Sequence, residues 1–212
     1  MTSAPAKRSR SRRGDGERLR EEILAAAERI LIDTNDQSAL SIRAIAAAVG
    51  VTAPSIYLHF ADRNDLLFAV CERHVLQLEG EMAAAADGIA DPLERLRRRG
   101  LAYLYWGLNH PEHYRVLMLS RPDATPDRFA DERLADTAGL IPVAEDLAAA
   151  TAAGQIVEQD PLEAAKLLWM LIHGMVSLLI SKPEFPFGDP EPLYERLFAV
   201  LRAGLAVPTR SA

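Results

Sequence analysis

Between Gly50 and Arg63 the chain spaces Thr52, Ser55, Tyr57, His59 and Arg63 along what reads as one short helix and the start of the next. Hydroxyls, an imidazole and a guanidinium in that order suit hydrogen bonding to an oxygen-rich, anionic partner. Tyr, His and Arg fit phosphate oxygens, whereas Ser and Thr can reach either phosphate or base edges. Bond-making chemistry lacks its parts. No glycine-rich phosphate loop, nucleophile elbow, zinc-protease pattern or activated Cys-His arrangement occurs, so the common enzyme classes are excluded. Cys71 is the only cysteine and lies among apolar residues, where a packed, inert thiol is expected. One thiol forms neither an internal disulfide nor a multi-cysteine zinc site, and suits a reducing cytoplasm.

A second set is aromatic. Tyr103, Tyr105, Trp106, His110, His113 and Tyr114 gather in one stretch, and Trp169 with His173 follows later. Such a set suits the wall of a mostly apolar ligand pocket with a few placed polar groups. His110 and His113 could equally be surface or capping residues. A His-x-x-His pair can ligate metal, but this one lacks further acidic or cysteine partners. No metal and no cofactor are therefore expected.

The elements that must position these residues read as all-α. Hydrophobic residues make up 49% of the 212, enough for a sizeable core, and aromatics only 6%; Ala and Leu dominate over β-branched types. Leu19, Ile23, Ala26, Ala27, Ile30 and Leu31 mark one face of a first helix. Ser41 caps a second with Ile42, Ile45, Ala46 and Val49 inward, and Gly50 ends it. Thr52 caps a third that carries Pro54 in its first turn, and Asp62 opens a fourth that runs to about Gly88. Asp91-Pro92-Leu93-Glu94 and Asp160-Pro161-Leu162-Glu163 each join an N-cap, a first-turn proline and a returning carboxylate. Further helices are expected at about 92–109, 111–120, 126–153, 161–181 and 190–206, with Pro142 kinking or splitting the third of these.

Net charge is −6, yet residues 1–20 carry +5 and the remainder −11. A basic end on an acidic body fits a nucleic-acid-binding head, although a solvated basic tail would explain the charge as well. The N-terminus lacks an apolar segment of the secretory kind. The longest apolar run, Leu167–Ile180, falls short of the roughly 20 residues a membrane span needs, so a buried helix and a soluble, cytoplasmic protein are expected.

Gly50-Val51-Thr52-Ala53-Pro54-Ser55-Ile56-Tyr57-Leu58-His59-Phe60 resembles the recognition segment of the tetracycline-repressor (TetR) family. Leu40-Ser41-Ile42-Arg43-Ala44-Ile45-Ala46 resembles its second helix, and Asp65-Leu66-Leu67 the start of its fourth. The resemblance covers residues 17–77 and implies a helix-turn-helix at about 40–59, while the basic residues 1–16 before it, Ser/Arg/Lys-rich and largely without periodicity, read as a flexible tail. It implies phosphate contacts from Tyr57, His59 and Arg63, the last usually a lysine. It implies base reading from Arg43, Ala53, Pro54 and Ser55, where Ala53 offers only a methyl group.

Farther on, Trp169-Met170-Leu171-Ile172-His173-Gly174 fits the W-x-x-x-H-G pattern of one C-terminal branch of the family, and His110-Pro111-Glu112-His113-Tyr114-Arg115 resembles its corresponding stretch. The resemblance implies a ligand-binding and dimerisation domain over 88–206. Tyr103, Trp106, His110, Tyr114, Trp169 and His173 are then candidate ligand contacts for a mostly apolar small-molecule effector. Gly174 with Met170, Ser177 and Ser181 forms a narrow face, and Leu193, Leu197, Val200, Leu201 and Gly204 a matching stripe. These would build a homodimer through 161–181 and 190–206, or pack inside one subunit. The expected function is a DNA-binding transcription regulator, a repressor released from a palindromic operator by its effector. An activator and a non-regulatory helical interaction module are the alternatives.

Overall fold

The computed structural model describes residues 15–34, 39–115, 118, 139–157 and 160–205. The described residues form helices and no strand. The elements are α1 (Asp15–Thr34), α2 (Ile42–Val49), α3 (Ala53–Tyr57), α4 (Arg63–Ala86), α5 (Pro92–Asn109), α6 (Pro111–Tyr114), α7 (Leu140–Ala152), α8 (Pro161–Ser181) and α9 (Pro190–Leu205). They divide into two compact units. One takes the described residues up to His74 and those from Glu112 to 118; the other takes Val75–Pro111 and the described residues from Gly139 onward. Glu112, His113 and Tyr114 thus lie with the first unit, although the sequence grouped them with the C-terminal half.

In the first unit α1 supplies Ile23, Leu24, Ala26, Ala27 and Leu31 to one core. Leu40, Ile45 and Ala46, Ile56, Phe60 and then Leu66, Leu67 and Val70 complete it. The inward residues of α1 recur every three or four positions, so one face is apolar and the others carry charge. Burial on this scale is what lets helices as short as α2 and α3 persist, since neither would be stable alone.

In the second unit α5, α7 and α8 pack round Leu96, Leu147, Ala150, Ile156, Ala164 and Ala165. Asp91 and Asp160 cap α5 and α8 through their carboxylates, each followed by proline in the first turn. Asp146, buried on α7, accepts from Nε of Arg95 and of Arg99 on α5. Two guanidiniums thus neutralise a carboxylate that burial alone would disfavour.

Four expectations meet the structure differently. The long helix expected at 126–153 is described only from Leu140, with Pro142 in its first turn and Gly139 before it at φ 65°. Residues 126–138 lie outside the described residues, as do residues 1–14, most of 116–120 and 206. The apolar run on α8 is not wholly buried. Ala164, Ala165, Val176 and Ile180 turn inward, but Leu167 is 58% exposed, Met170 54%, Leu171 42% and Leu178 49%. Its neighbours α5 and α7 cover only one side of a helix that is apolar all round. By length and composition α8 could cross a membrane, a property that core helices of soluble proteins share. Among the described residues nothing in the same subunit packs on Gly174, since a Cβ built there meets nothing within 4 Å, so the alternative of close packing inside one subunit does not hold there. The α9 stripe is divided: Leu197 and Leu201 face a cavity inside the unit, and Val200 is 69% exposed.

Candidate nucleic-acid interface and ligand cavity

The turn between α2 and α3 follows from local chemistry. Ser41 takes an extended conformation and its hydroxyl accepts from the Ala44 amide, which starts α2. Gly50 stops it in the left-handed region at φ 75°, where its amide and that of Val51 both donate to the Ala46 carbonyl. A side chain at that φ would be strained, which is why glycine stands there. Ile45, Ala46 and Ile56 are buried beneath the turn, fixing α2 against α3.

This packing leaves a polar edge. Arg43, Thr52, Pro54 and Tyr57 are exposed, Tyr57 by 54%, and Ala53, Ser55 and His59 are half-buried. Thr52 holds the N-cap position of α3, yet its hydroxyl bonds the Ser55 hydroxyl at 3.0 Å instead of a backbone amide. The Ser55 amide is already taken by the Thr52 carbonyl, and proline at 54 has no N–H to offer. Thr52 and Ser55 thus form one linked pair of hydroxyls at the start of the helix.

Arg63 is placed otherwise. Its Nε donates to the Leu40 carbonyl at 2.7 Å, tying the start of α4 to the residue before the N-cap of α2. Asp62 and Asp65 form a box there: Asp62 accepts from the Asp65 amide and Asp65 from the Ala61 amide, each at 2.8 Å. Nothing in the residue pattern reveals the contact of Arg20 with Phe60, in which the guanidinium carbon of Arg20 lies 5.3 Å from the centre of the Phe60 ring. Cys71 packs at the edge of the core, and burial pushes its thiol up to about 11. It stays protonated at neutral pH and is a poor nucleophile.

The second unit holds a cavity of about 70 Å³ between α4, α5, α7, α8 and α9. Its wall is mostly apolar, with Met82, Leu96, Val143, Leu168, Ile172 and Phe198 among the lining, and Arg99, Tyr103, Trp169 and Tyr194 as the polar-bearing groups. Tyr103 and Trp169 are therefore the two expected ligand residues that reach it. His173 stands behind them: its Nδ1 is 3.3 Å from the Tyr103 hydroxyl, its Nε2 3.4 Å from the Ser177 hydroxyl, and its ring packs on Trp169. Burial lowers the His173 pKa, which favours the neutral imidazole. Trp106 and His110 pack together outside the lining, and Tyr114 is buried in the first unit. The indole N–H of Trp169 is buried and meets no hydrogen-bond acceptor among the described residues. Sequence spacing could not reveal Arg99, Gly100 and Tyr194 as part of this wall, since nothing in the pattern tells which side of α5 meets α9.

A buried core shared by α1, α2, α3 and α4 that carries a glycine-turned helix pair, in one chain with a helical unit that holds an apolar cavity, is the architecture of a helix-turn-helix transcription regulator. The model of the tetracyclin repressor-like C-terminal domain matches residues 96–201, and that of the bacterial regulatory proteins of the tetR family matches residues 23–70. The chain belongs to the TetR family of DNA-binding transcription regulators, whose members bind operator DNA and act as dimers with small-molecule effectors. Among curated proteins it is 23% identical over 174 residues to the HTH-type transcriptional activator FasR of Mycolicibacterium smegmatis, covering 82% of this chain and 74% of that one. Among solved structures it is similar to a bacterial regulatory protein in the tetR family from Rhodococcus RHA1, at 20% identity and a TM-score of 0.68, covering 90% of this chain and 98% of that one. It is also similar to the fatty acid degradation regulator FadR from Bacillus halodurans, at 19% identity and a TM-score of 0.72, covering 87% and 98%.

Proposed function

We propose that the chain is a cytoplasmic repressor that binds a palindromic operator as a homodimer and leaves it when a mostly apolar small molecule enters the α5–α9 cavity. The observation that carries the reading is that cavity: a mostly apolar wall with Arg99, Tyr103, Trp169 and Tyr194 as its few polar-bearing groups, the composition of a small-molecule site. Arg99 lies in the same wall, so an apolar body bearing an acceptor or acidic head is the chemistry that fits.

At the operator, Arg43 and the Thr52–Ser55 edge read bases while Tyr57 and His59 hold phosphates. Arg63 braces α4 against Leu40 and adds charge toward the backbone of the DNA. The exposed leucines and Met170 on α8, with Val200 on α9, form the homodimer face. Such a contiguous apolar face marks an association surface more often than a solvated one.

The test is selection of bound fragments from genomic DNA, then titration of candidate apolar acids with and without the recovered operator. Linkage requires an inducer that weakens DNA binding tenfold to bind the DNA-bound dimer tenfold, or about 1.4 kcal/mol, more weakly. A ligand that binds both forms equally is not the effector. Tighter operator binding on ligand addition favours the activator reading instead.

A further inference from the structure

Within the first unit three side chains far apart in sequence converge. Glu28 lies on α1, His74 on α4 and His113 on α6, and their ligating atoms all fall within 4.8 Å of one another. His113 Nε2 is 2.9 Å and His74 Nε2 3.5 Å from the same oxygen, Oε1 of Glu28. The two imidazoles stack with centroids 4.3 Å apart. The site is enclosed without being sealed: His74 is 3% exposed, whereas Glu28 and His113 are 19% and 22% exposed at their side chains. Arg73 approaches the carboxylate from the other side, its Nη1 3.7 Å from Oε2, and its Nη2 bonds Glu21.

We propose that Glu28, His74 and His113 bind a divalent transition-metal ion of the zinc type. The donor set is two imidazoles and one carboxylate, which borderline ions such as zinc, cobalt and nickel favour over magnesium or calcium. Ligands about 2.05 Å from a tetrahedral zinc stand about 3.4 Å apart, and the separations to Glu28 bracket that value. Three protein ligands leave one position for water, reached from the side of His113 and Glu28. A donor nitrogen holds its lone pair in the ring plane, so binding must turn the stacked imidazoles until both planes point at the ion. His113, on the short α6 and partly exposed, is the ring with room to turn. The bound ion ties α1, α4 and α6 together inside the unit that carries the helix-turn-helix. The Oε1 site needs His113 without His110, which is why the His-x-x-His spacing does not reveal it. The proposal is independent of the effector reading, because it concerns residues of the other unit.

The experiment is metal titration of the full chain without an affinity tag, after removal of ions with a chelator. Zinc uptake is measured by equilibrium dialysis and cobalt by its visible spectrum, for wild type, His113→Gln, Glu28→Gln and His110→Gln. The expected result is one ion per chain with the strong visible bands of four-coordinate cobalt, displaced by zinc, and a melting temperature that rises with zinc concentration. His113→Gln abolishes these effects, Glu28→Gln weakens uptake at least tenfold, and His110→Gln leaves it unchanged. No uptake by wild type overturns the proposal, as does uptake equal in wild type and His113→Gln, or a weak six-coordinate cobalt spectrum. Circular dichroism of each variant without metal separates loss of a ligand from loss of the fold; should His113→Gln unfold, the wild-type cobalt spectrum and the Glu28→Gln titration decide.

Discussion

Replacing Gly100 by alanine sets two well-known effects of opposite sign against each other. Gly100 is inside α5, where alanine is favoured over glycine by about 1 kcal/mol through backbone entropy alone. A Cβ at 100 would, however, lie 2.1 Å from the Tyr194 hydroxyl and 2.8 and 2.9 Å from two ring carbons. Tyr194 has little room to retreat: it is 4% exposed, and its hydroxyl donates to the Arg97 carbonyl at 2.9 Å. Overpacking a tight site costs about 1–3 kcal/mol, and losing the hydrogen bond costs about 1 more. The gain in helix propensity offsets the lost bond, so the net expectation is a destabilisation of roughly 1–3 kcal/mol. At about 2–4 °C per kcal/mol for a chain of this size, the melting temperature should fall by a few to about ten degrees. Gly80→Ala is the control. Gly80 lies inside α4, exposed, and a Cβ there meets nothing within 4 Å, so the same change should stabilise by up to about 1 kcal/mol. Tyr194→Phe should cost about 1 kcal/mol alone yet partly rescue Gly100→Ala, since it removes the nearest atom. Thermal and urea melts of the four variants give the coupling. If Gly100→Ala raised stability as Gly80→Ala does, the close packing of α9 on α5 would be wrong.

Asp146→Ala should destabilise by about 3–5 kcal/mol in urea melts, because it strands Arg95 and Arg99 against a buried gap; a loss under about 1 kcal/mol would refute the buried network. In gel shifts Tyr57→Phe should weaken binding to all duplexes alike, whereas Arg43→Ala should cost about 1–3 kcal/mol at particular base positions. Equal losses on cognate and random DNA for Arg43→Ala would remove its base-reading role. Leu171→Asp should shift sedimentation from dimer toward monomer, and an unchanged dimer would exclude the exposed α8 face as the interface. For His173 the folded pKa lies below the ordinary 6.5, through burial. The unfolded chain therefore takes up a proton that the fold resists, and this residue's contribution makes stability fall as pH drops through 6.5, levelling off below the folded value. Wild type should lose more stability than His173→Gln between about pH 7.5 and 5.5; parallel losses would show that His173 titrates normally.

What was legible in the sequence was what depends on neighbours along the chain. Ser41, Gly50, Asp91 and Asp160 announce helix ends because capping is a matter of three or four residues, and each does so in the structure. Arg63 shows where such reasoning stops. Its charge and position suit a phosphate, but its bond to the Leu40 carbonyl joins residues 23 apart, and only the folded core sets that distance. This also changes what Arg63→Ala would mean, for it would remove a brace as well as a charge, and Tyr57→Phe is the cleaner probe. The cavity was half legible for the same reason. Tyr103 and Trp169 stood out as aromatics, whereas Gly100 and Tyr194 matter only because α5 and α9 touch there.

The division of α8 bears most on mechanism. Ala165, Leu168, Trp169 and Ile172 form one side of it, at the cavity wall. Leu167, Met170, Leu171 and Leu178 form the other, exposed in the single chain. One helix thus carries both the wall a ligand would press and the face proposed to meet the partner subunit. A close-packed helix moves as a body rather than deforming, so pressure on Leu168 or Ile172 reaches the outer face without any intermediate relay. Half-sites of a palindromic operator lie about 34–36 Å apart, and a symmetric dimer holds its two recognition helices at a spacing its interface sets. A one-helix coupling therefore predicts that filling the cavity from inside mimics the effector. Ala165→Leu, which enlarges a side chain on the wall, should lower operator affinity without ligand while leaving sedimentation as a dimer. Unchanged operator affinity in a folded Ala165→Leu dimer would mean that the cavity does not act through α8.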